Sequence, residues 1–375
     1  MKKQVVILQH RLLHYREVFF QKLKIKCDEN NIDLHLVHGE ASPRERVRKD
    51  EGFIDWADRV KNSFWCVANR DLLWQPLPKE LLKSDLIVLM QENRIISNYP
   101  ILIFRGFLPG KLAYWGHGVN FQSRSPNGLR ERLKKYFLNK VDWWFAYTKT
   151  TSDLLVDSAF PAQQITCLNN AIDTSGFKKQ YLSIKDNEVD QLRSELNMSK
   201  ETKVGIFCGS LYKDKKLDLL LSSAELVRQK IDFHVVILGA GPELEMLEKY
   251  SINNPWLHLV GIQKGYKKAL FYKISDIMLN PGLLGLHILD SFSIGIPLVS
   301  TGNARHSPEI AYLDNGVNGV LTADTIGAYS QAVLKLLSDH VFYKYVATNA
   351  LKSGELYTLE NMVDNFFEGI KKALG

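Results

Sequence analysis

Four stretches in the second half of the 375-residue chain set glycines, cations and carboxylates where they could hold a phosphate or a sugar hydroxyl. Behind the apolar run Val204–Cys208 comes Gly209-Ser210-Leu211-Tyr212-Lys213-Asp214-Lys215-Lys216. Glycine at a strand end lets a ligand approach the backbone, and Lys215 just before a helix can share the positive end of its dipole with a phosphate. A lysine in such a loop is more often solvated, so both readings stand. Leu238-Gly239-Ala240-Gly241-Pro242-Glu243 sets glycines at a turn and proline near a helix start. It carries only half of a dinucleotide fingerprint, because residue 244 is Leu, and no nicotinamide cofactor is expected.

The third stretch runs from Asn280 to Asp290 and on through Gly295 and Pro297. It reads as strand, glycine loop, helix and strand. Gly285 is expected to open the helix, leaving the N–H groups of Gly285 and Leu286 for a diphosphate. Asp290, about one and a half turns further on, could accept two ribose hydroxyls. A buried helix packed by Leu286, Leu289 and Phe292 is the plain alternative. In the fourth stretch, Ser307-Pro308-Glu309 reads as N-cap, N1 and N2, so Glu309 is either a helix-start acid or a nucleotide-hydroxyl acceptor.

The first half has fewer such signals. His117 lies between Gly116 and Gly118 after a strand, so its ring can project from the chain. His10, Arg11, His14 and Arg16 crowd the loop after the first strand and suit an acidic or phosphate-bearing acceptor. Glu92, in Gln91-Glu92-Asn93-Arg94, is a candidate acceptor ligand or base. The stripe Leu129, Leu133, Tyr136, Phe137 is ringed by Arg130, Arg132, Lys134, Lys135 and Lys140. Such a helix either lies on an anionic membrane surface or packs on the sheet with its charges in water.

Short apolar runs alternate with helical patterns, which is the signature of parallel α/β units. The expected strands are 4–8, 33–38, 85–90, 111–115, 143–147 and 165–168, then 204–209, 234–239, 257–260, 277–280 and 297–301. Leu217, Leu220, Leu221, Ala224 and Val227 mark an amphipathic helix over 217–230. The polar segment from Asn169 to about Lys203 reads as an interdomain connection without strands. The division expected is 1–172, 173–355, and a helix at 356–375 returning to the first domain. In open parallel sheets ligands bind beyond the carboxyl ends of the strands, where all these loops fall.

Composition excludes several classes. The chain is 45% hydrophobic and 24% charged, which are globular proportions. No apolar run approaches 18 residues and no signal-peptide core is present, so a cytoplasmic protein is expected. Cys27, Cys66, Cys167 and Cys208 are far apart and read as buried thiols, not metal ligands. The net charge of +7 is uneven: residues 1–172 carry 26 basic and 18 acidic groups, and the remainder carries 22 and 23. The excess suggests that the first half meets an anion. No nucleic-acid fold or aromatic–basic platform is visible.

Taken in order, Gly209 with Lys215, Gly239/Gly241/Pro242, Asp290 with Gly295 and Pro297, and Pro308/Glu309 resemble the donor half of retaining GT-B glycosyltransferases of the family-four type. The resemblance covers about residues 204–337. It implies two Rossmann-like doubly wound domains facing a cleft, and transfer of a sugar, with retention, from a nucleotide diphosphate-sugar to an acceptor hydroxyl. It also implies surface-polysaccharide biosynthesis, such as lipopolysaccharide or capsule, by a peripheral enzyme at the inner membrane face, with a glycan or lipid-linked acceptor. No metal is expected, since there is no Asp-x-Asp motif. The donor set it implies is Gly209, Ser210, Lys215, Gly239, Gly282, Gly285, Leu286, Asp290, Arg305 and Glu309. His117 would face the transferred sugar. Two departures stand out: Ser210 replaces the usual arginine, and Gly282 replaces the first glutamate of the Glu-x7-Glu pair. Arg305 or His306 could supply the missing charge. A nucleotide-sugar 2-epimerase and a non-catalytic nucleotide-sugar-binding protein are the alternatives.

Overall fold

The computed structural model describes residues 2–46, 50–67, 70–118 and 137–375. The chain divides into two compact units. Unit 1 is Met1–Ile172 with Leu359–Gly375, and unit 2 is Asp173–Thr358.

Unit 1 carries β1 (Lys3–Gln9), β2 (Ile32–His38), β3 (Asp58–Arg59), the hairpin β4 (Ser63–Val67) and β5 (Arg70–Trp74), then β6 (Leu86–Met90), β7 (Lys111–Gly116), β8 (Trp143–Ala146) and β9 (Ile165–Cys167). Seven of these form a parallel sheet in the order β3-β2-β1-β6-β7-β8-β9. Val5, Val6 and Ile7 are fully buried, as a strand covered on both faces requires. The chain runs outward from β1 through β2 and β3, then returns to the other side of β1 at β6, with Val5 opposite Leu86. That reversal makes a switch point, where the loops after β1 and β6 diverge and leave a crevice.

The helix Leu359–Leu374 belongs to this unit. Phe366 stacks on Phe145 at 4.2 Å and meets Phe19 and Trp115 edge-on. Arg16 is buried beside it, donating to the Ala171 carbonyl at 3.2 Å and to Asn170 Oδ1.

Unit 2 carries β10 (Lys203–Cys208), β11 (Phe233–Leu238), β12 (Leu257–Gly261), β13 (Ile277–Asn280), β14 (Leu298–Thr301) and β15 (Val320–Thr322). They order as β12-β11-β10-β13-β14-β15, with a second switch point between β10 and β13. The expected helix at 217–230 is Leu217–Arg228, whose Leu217, Leu220, Leu221, Ala224 and Val227 all enter the core.

All eleven expected strands are present. The hairpin β4–β5, β3 and β15 were not anticipated, being short or lacking a buried run. The segment 169–203 is no plain connection: it holds helices Ser175–Ser183 and Asp186–Glu195, and from Asp173 onward it is part of unit 2. Only Cys27 meets the expectation of four buried thiols: Cys167 and Cys208 are half-buried and Cys66 is exposed. Of the basic stripe, Phe137 and Lys140 are described; Leu129 to Tyr136 lie outside the described residues. No helix among the described residues is long and apolar enough to cross a membrane.

Candidate functional site

Each switch point gathers candidates from its own unit. In unit 2 the loops after β10 and β13 interlock through their backbones. Leu283 N–H donates to the Asp214 carbonyl at 2.8 Å, and Lys215 Nζ donates to the Leu283 carbonyl at 2.5 Å. A Cβ on Gly282 would fall 2.2 Å from the Asp214 oxygen, so this position admits no side chain without moving the backbone. Gly239 and Gly241 serve a second close approach: a Cβ on either would strike the Gly209 or Leu211 carbonyl, at 1.9 and 2.3 Å. Gly209 lies beside the Lys215 stem, and Ser210 is exposed.

Lys215 is 4% exposed, and burial pushes its ammonium down to about 8. Desolvation disfavours the charged form unless an anion arrives. The helix after β13 spans Ile288–Ile294, so it does not open at Gly285. The Gly285 and Leu286 carbonyls accept from Ile288 and Leu289, and their own amides lie in the turn ahead of the helix. Asp290 is consequently in the first turn. It is buried and holds Lys268 Nζ at 2.7 Å, so a ribose would have to share it with that ammonium. Burial lowers Lys268, but Asp290 and Cys208 together more than offset this and the net shift is upward.

His306 cannot supply the missing cation. Leu284 N–H donates to its Nδ1 at 3.1 Å, which fixes Nε2 as the protonated nitrogen, aimed at the Thr301 carbonyl 2.6 Å away. The ring is held neutral, and burial pushes its pKa down. Arg305 is exposed in the same loop. Glu309 is buried in the short helix Pro308–Tyr312, which Ser307 precedes without a capping side-chain hydrogen bond. His287, before the helix at Ile288, has Nε2 shut from water with no partner among the described residues.

At the unit 1 switch point the arrangement is ionic. Arg94 donates from Nη2 to Glu45 Oε1 at 2.8 Å and from Nε to Glu92 Oε2 at 2.7 Å. His10 lies between, with Nε2 2.9 Å from Arg94 Nη2 and Nδ1 3.5 Å from Glu92 Oε1. Arg11 holds Asp50 at 2.5 Å and stands 3.6 Å from Glu45. Burial would raise Glu92 and Glu45, but His10 and Arg94 and, for Glu45, the hydrogen bond from the Ser42 amide hold both below the usual carboxylate range.

His10, Arg11 and Glu92, expected from sequence, are thus one cluster. His14 stands at its exposed edge on the Asp50 carbonyl, 3.2 Å away. Arg16 is not part of it, because its guanidinium is spent on Ala171 and Asn170 inside the core. His117 is exposed after β7, its ring edge-on to Tyr147 at 4.5 Å.

Sequence reasoning missed Glu45, Arg94, Lys268 and His287. Arg94 was two residues from Glu92 in the quoted loop. Glu45 carried a signal of another kind: Ser42-Pro43-Arg44-Glu45 is a capping box, with Ser42 N–H on Glu45 Oε2 at 3.0 Å and Glu45 N–H on Ser42 Oγ at 3.4 Å. Its second oxygen is what faces Arg94.

Residues 202–339, most of unit 2, match the model for glycosyl transferases group 1. The chain is 23% identical, over 212 residues, to an uncharacterized glycosyltransferase of Methanocaldococcus jannaschii. The match takes in 54% of this chain and 52% of the relative, so the chain spans about half the length of the curated relative it matches. Among solved structures, Anabaena HepE in complex with UDP superposes with a TM-score of 0.71 at 12% identity, over 98% of this chain and 99% of that one. The lipopolysaccharide outer core galactosyltransferase WaaB, in its apo form, gives 0.66 at 12% identity, over 98% and 99%. At such identity the likeness establishes the fold: two parallel-sheet α/β domains, as in GT-B glycosyltransferases.

Proposed function

We propose that the protein is a GT-B glycosyltransferase. It moves a sugar from a nucleotide diphosphate-sugar held by unit 2 to an acceptor hydroxyl held by unit 1, with retention and without a bound metal. The observation that carries this reading is Lys215, a buried ammonium at the unit 2 switch point with no paired carboxylate among the described residues, inside the segment that matches the family model. Charge grows on the departing diphosphate as the anomeric bond breaks. Lys215, the amides of Gly285 and Leu286, and Arg305 are the donors that meet it. In unit 1, Glu92 offers an acceptor for the proton of an incoming hydroxyl, and Arg94 and His10 fix its orientation.

A panel of UDP, GDP and ADP and their sugars tests the donor part by thermal shift. A ligand at 100 times its Kd stabilises by about 2.7 kcal/mol. If no nucleoside diphosphate shifts unfolding, the reading fails. His117→Ala should lower turnover without weakening nucleotide binding, the signature of a group serving the transferred sugar.

The acceptor is proposed to belong to surface-glycan synthesis at the inner membrane face. Counted by unit, the charge supports this: unit 1 carries 28 basic and 21 acidic residues, unit 2 carries 20 of each. Sedimentation with anionic vesicles at low salt checks the membrane part. One observation favours a second reading, a non-catalytic nucleotide-sugar-binding protein: the position of the first family glutamate is closed to any side chain at Gly282. Nucleotide-sugar binding without transfer or hydrolysis would select it.

A further inference from the structure

The β4–β5 hairpin has one packed face and one bare one. Its antiparallel register pairs Phe64 with Leu73 and Cys66 with Asp71 on one side. On the other it pairs Ser63 with Trp74 and Trp65 with Leu72. Leu73 is fully buried, whereas Trp65 is 50% exposed, Val67 54% and Trp74 36%. Strands with one wet face normally alternate apolar-in and polar-out. Here the wet face presents two indoles, and exposed apolar surface of this kind marks a binding surface.

The hairpin is pinned to the unit 1 switch point. Leu73 N–H donates to the Arg94 carbonyl at 2.9 Å, and Ile96 N–H returns to the Leu73 carbonyl at 2.8 Å. Gln75 Nε2 reaches the Gln9 carbonyl at 2.8 Å, one residue before His10. Ser42 Oγ donates to Asp71 Oδ2 at 3.1 Å, tying the hairpin to the turn that carries Glu45. The bare face is therefore held in fixed register with His10, Glu92 and Arg94.

We propose that Trp65 and Trp74 are a stacking platform for the sugar rings of the acceptor, which is accordingly an oligosaccharide. This rests on the reading that unit 1 receives the acceptor. A pyranose has a flat C–H face and a rim of hydroxyls. An indole matches the face and offers one N–H to the rim. Two indoles at diagonal cross-strand positions extend over more than one ring, on a hairpin whose backbone is hydrogen-bonded to the loop that carries Glu92 and Arg94.

The test uses the full chain on a printed oligosaccharide array, with Trp65→Ala, Trp74→Ala and the conservative Trp65→Phe and Trp74→Phe. Expected is binding to one set of glycans, weakened about ten-fold by each alanine and largely kept by each phenylalanine. UDP thermal shifts should be the same in all variants. A protein that binds UDP but no glycan overturns the platform and leaves the donor reading intact. Loss of UDP binding in the wild-type chain would instead sink the donor reading. If the alanine variants lose only sedimentation with vesicles of phosphatidylcholine and phosphatidylglycerol, the face is a lipid contact and the proposal is wrong.

Discussion

At the unit 1 switch point, Glu45, Glu92, Asp50, Arg11, Arg94 and His10 compensate one another through side chains carried on three connections, those after β1, β2 and β6. At the unit 2 switch point two loops meet closely, with no side chain at Gly282, and the buried Lys215 ammonium donates to the Leu283 carbonyl with no carboxylate paired to it among the described residues. The same topology thus supports two kinds of site. A backbone cradle suits a group that does not vary, such as a diphosphate. A set of paired charges can change partners, which suits a hydroxyl that must be oriented and lose a proton. The difference can be broken at either end.

The largest effect is expected at Arg94. Arg94→Ala leaves Glu45 and Glu92 without their shared cation and should destabilise unit 1 by about 3 kcal/mol in urea unfolding. UDP affinity should be unchanged. Glu45 is held below its usual value, so its stabilisation is complete above the unfolded value of about 4.3 and is lost as pH falls towards the folded one. The variant should therefore begin acid unfolding at a higher pH. Unaltered stability would mean the network is not a network.

Gly282→Ala comes next. It should cost about 1–3 kcal/mol in unit 2 and weaken nucleotide binding, because the Cβ displaces the backbone that holds Lys215. Gly285→Ala is the contrast: its Cβ would meet the Ser307 side chain, Oγ at 3.3 Å and Cβ at 3.7 Å, and no backbone, so stability should stay within about 0.5 kcal/mol. Equal costs at the two glycines would refute the interlock.

The smallest effect is a fraction of a proton. Lys215 at about 8 lies below its unfolded value of about 10.4, so its burial opposes folding below pH 8. That penalty is relieved as pH rises from 8 towards 10.4. A bound diphosphate restores the charge, so UDP should take up protons at pH 8.5, read as a buffer-dependent heat in calorimetry. Lys215→Met should abolish that dependence and be the more stable protein at pH 7.

The strands were legible because burial on both faces demands unbroken apolar runs, and Val5–Leu8 or Val235–Leu238 leave no other reading. The loops were legible as places but not as contacts. Glycine at 282 looked like a lost acid until the Asp214 carbonyl showed why no side chain fits. Arg16 looked like an acceptor cation because nothing in its sequence neighbourhood reveals that Ala171 and Asn170, far along the chain, receive it. Lys268 was missed for the same reason, since its partner Asp290 comes from another helix. The hairpin was missed because one of its faces breaks the alternation by which strands are recognised.

Unit 1 is written in two pieces with unit 2 between them. During synthesis the socket formed by Phe19, Trp115 and Phe145 exists before Phe366 does. At roughly 5–20 residues per second, residues 173–358 take on the order of ten to forty seconds to emerge. Unit 2 can close on itself in that interval, whereas unit 1 must wait with an aromatic socket open to water. The usual N-terminal-first order is thereby inverted. A ribosome halted just before Leu359 would carry a complete unit 2 and an incomplete unit 1.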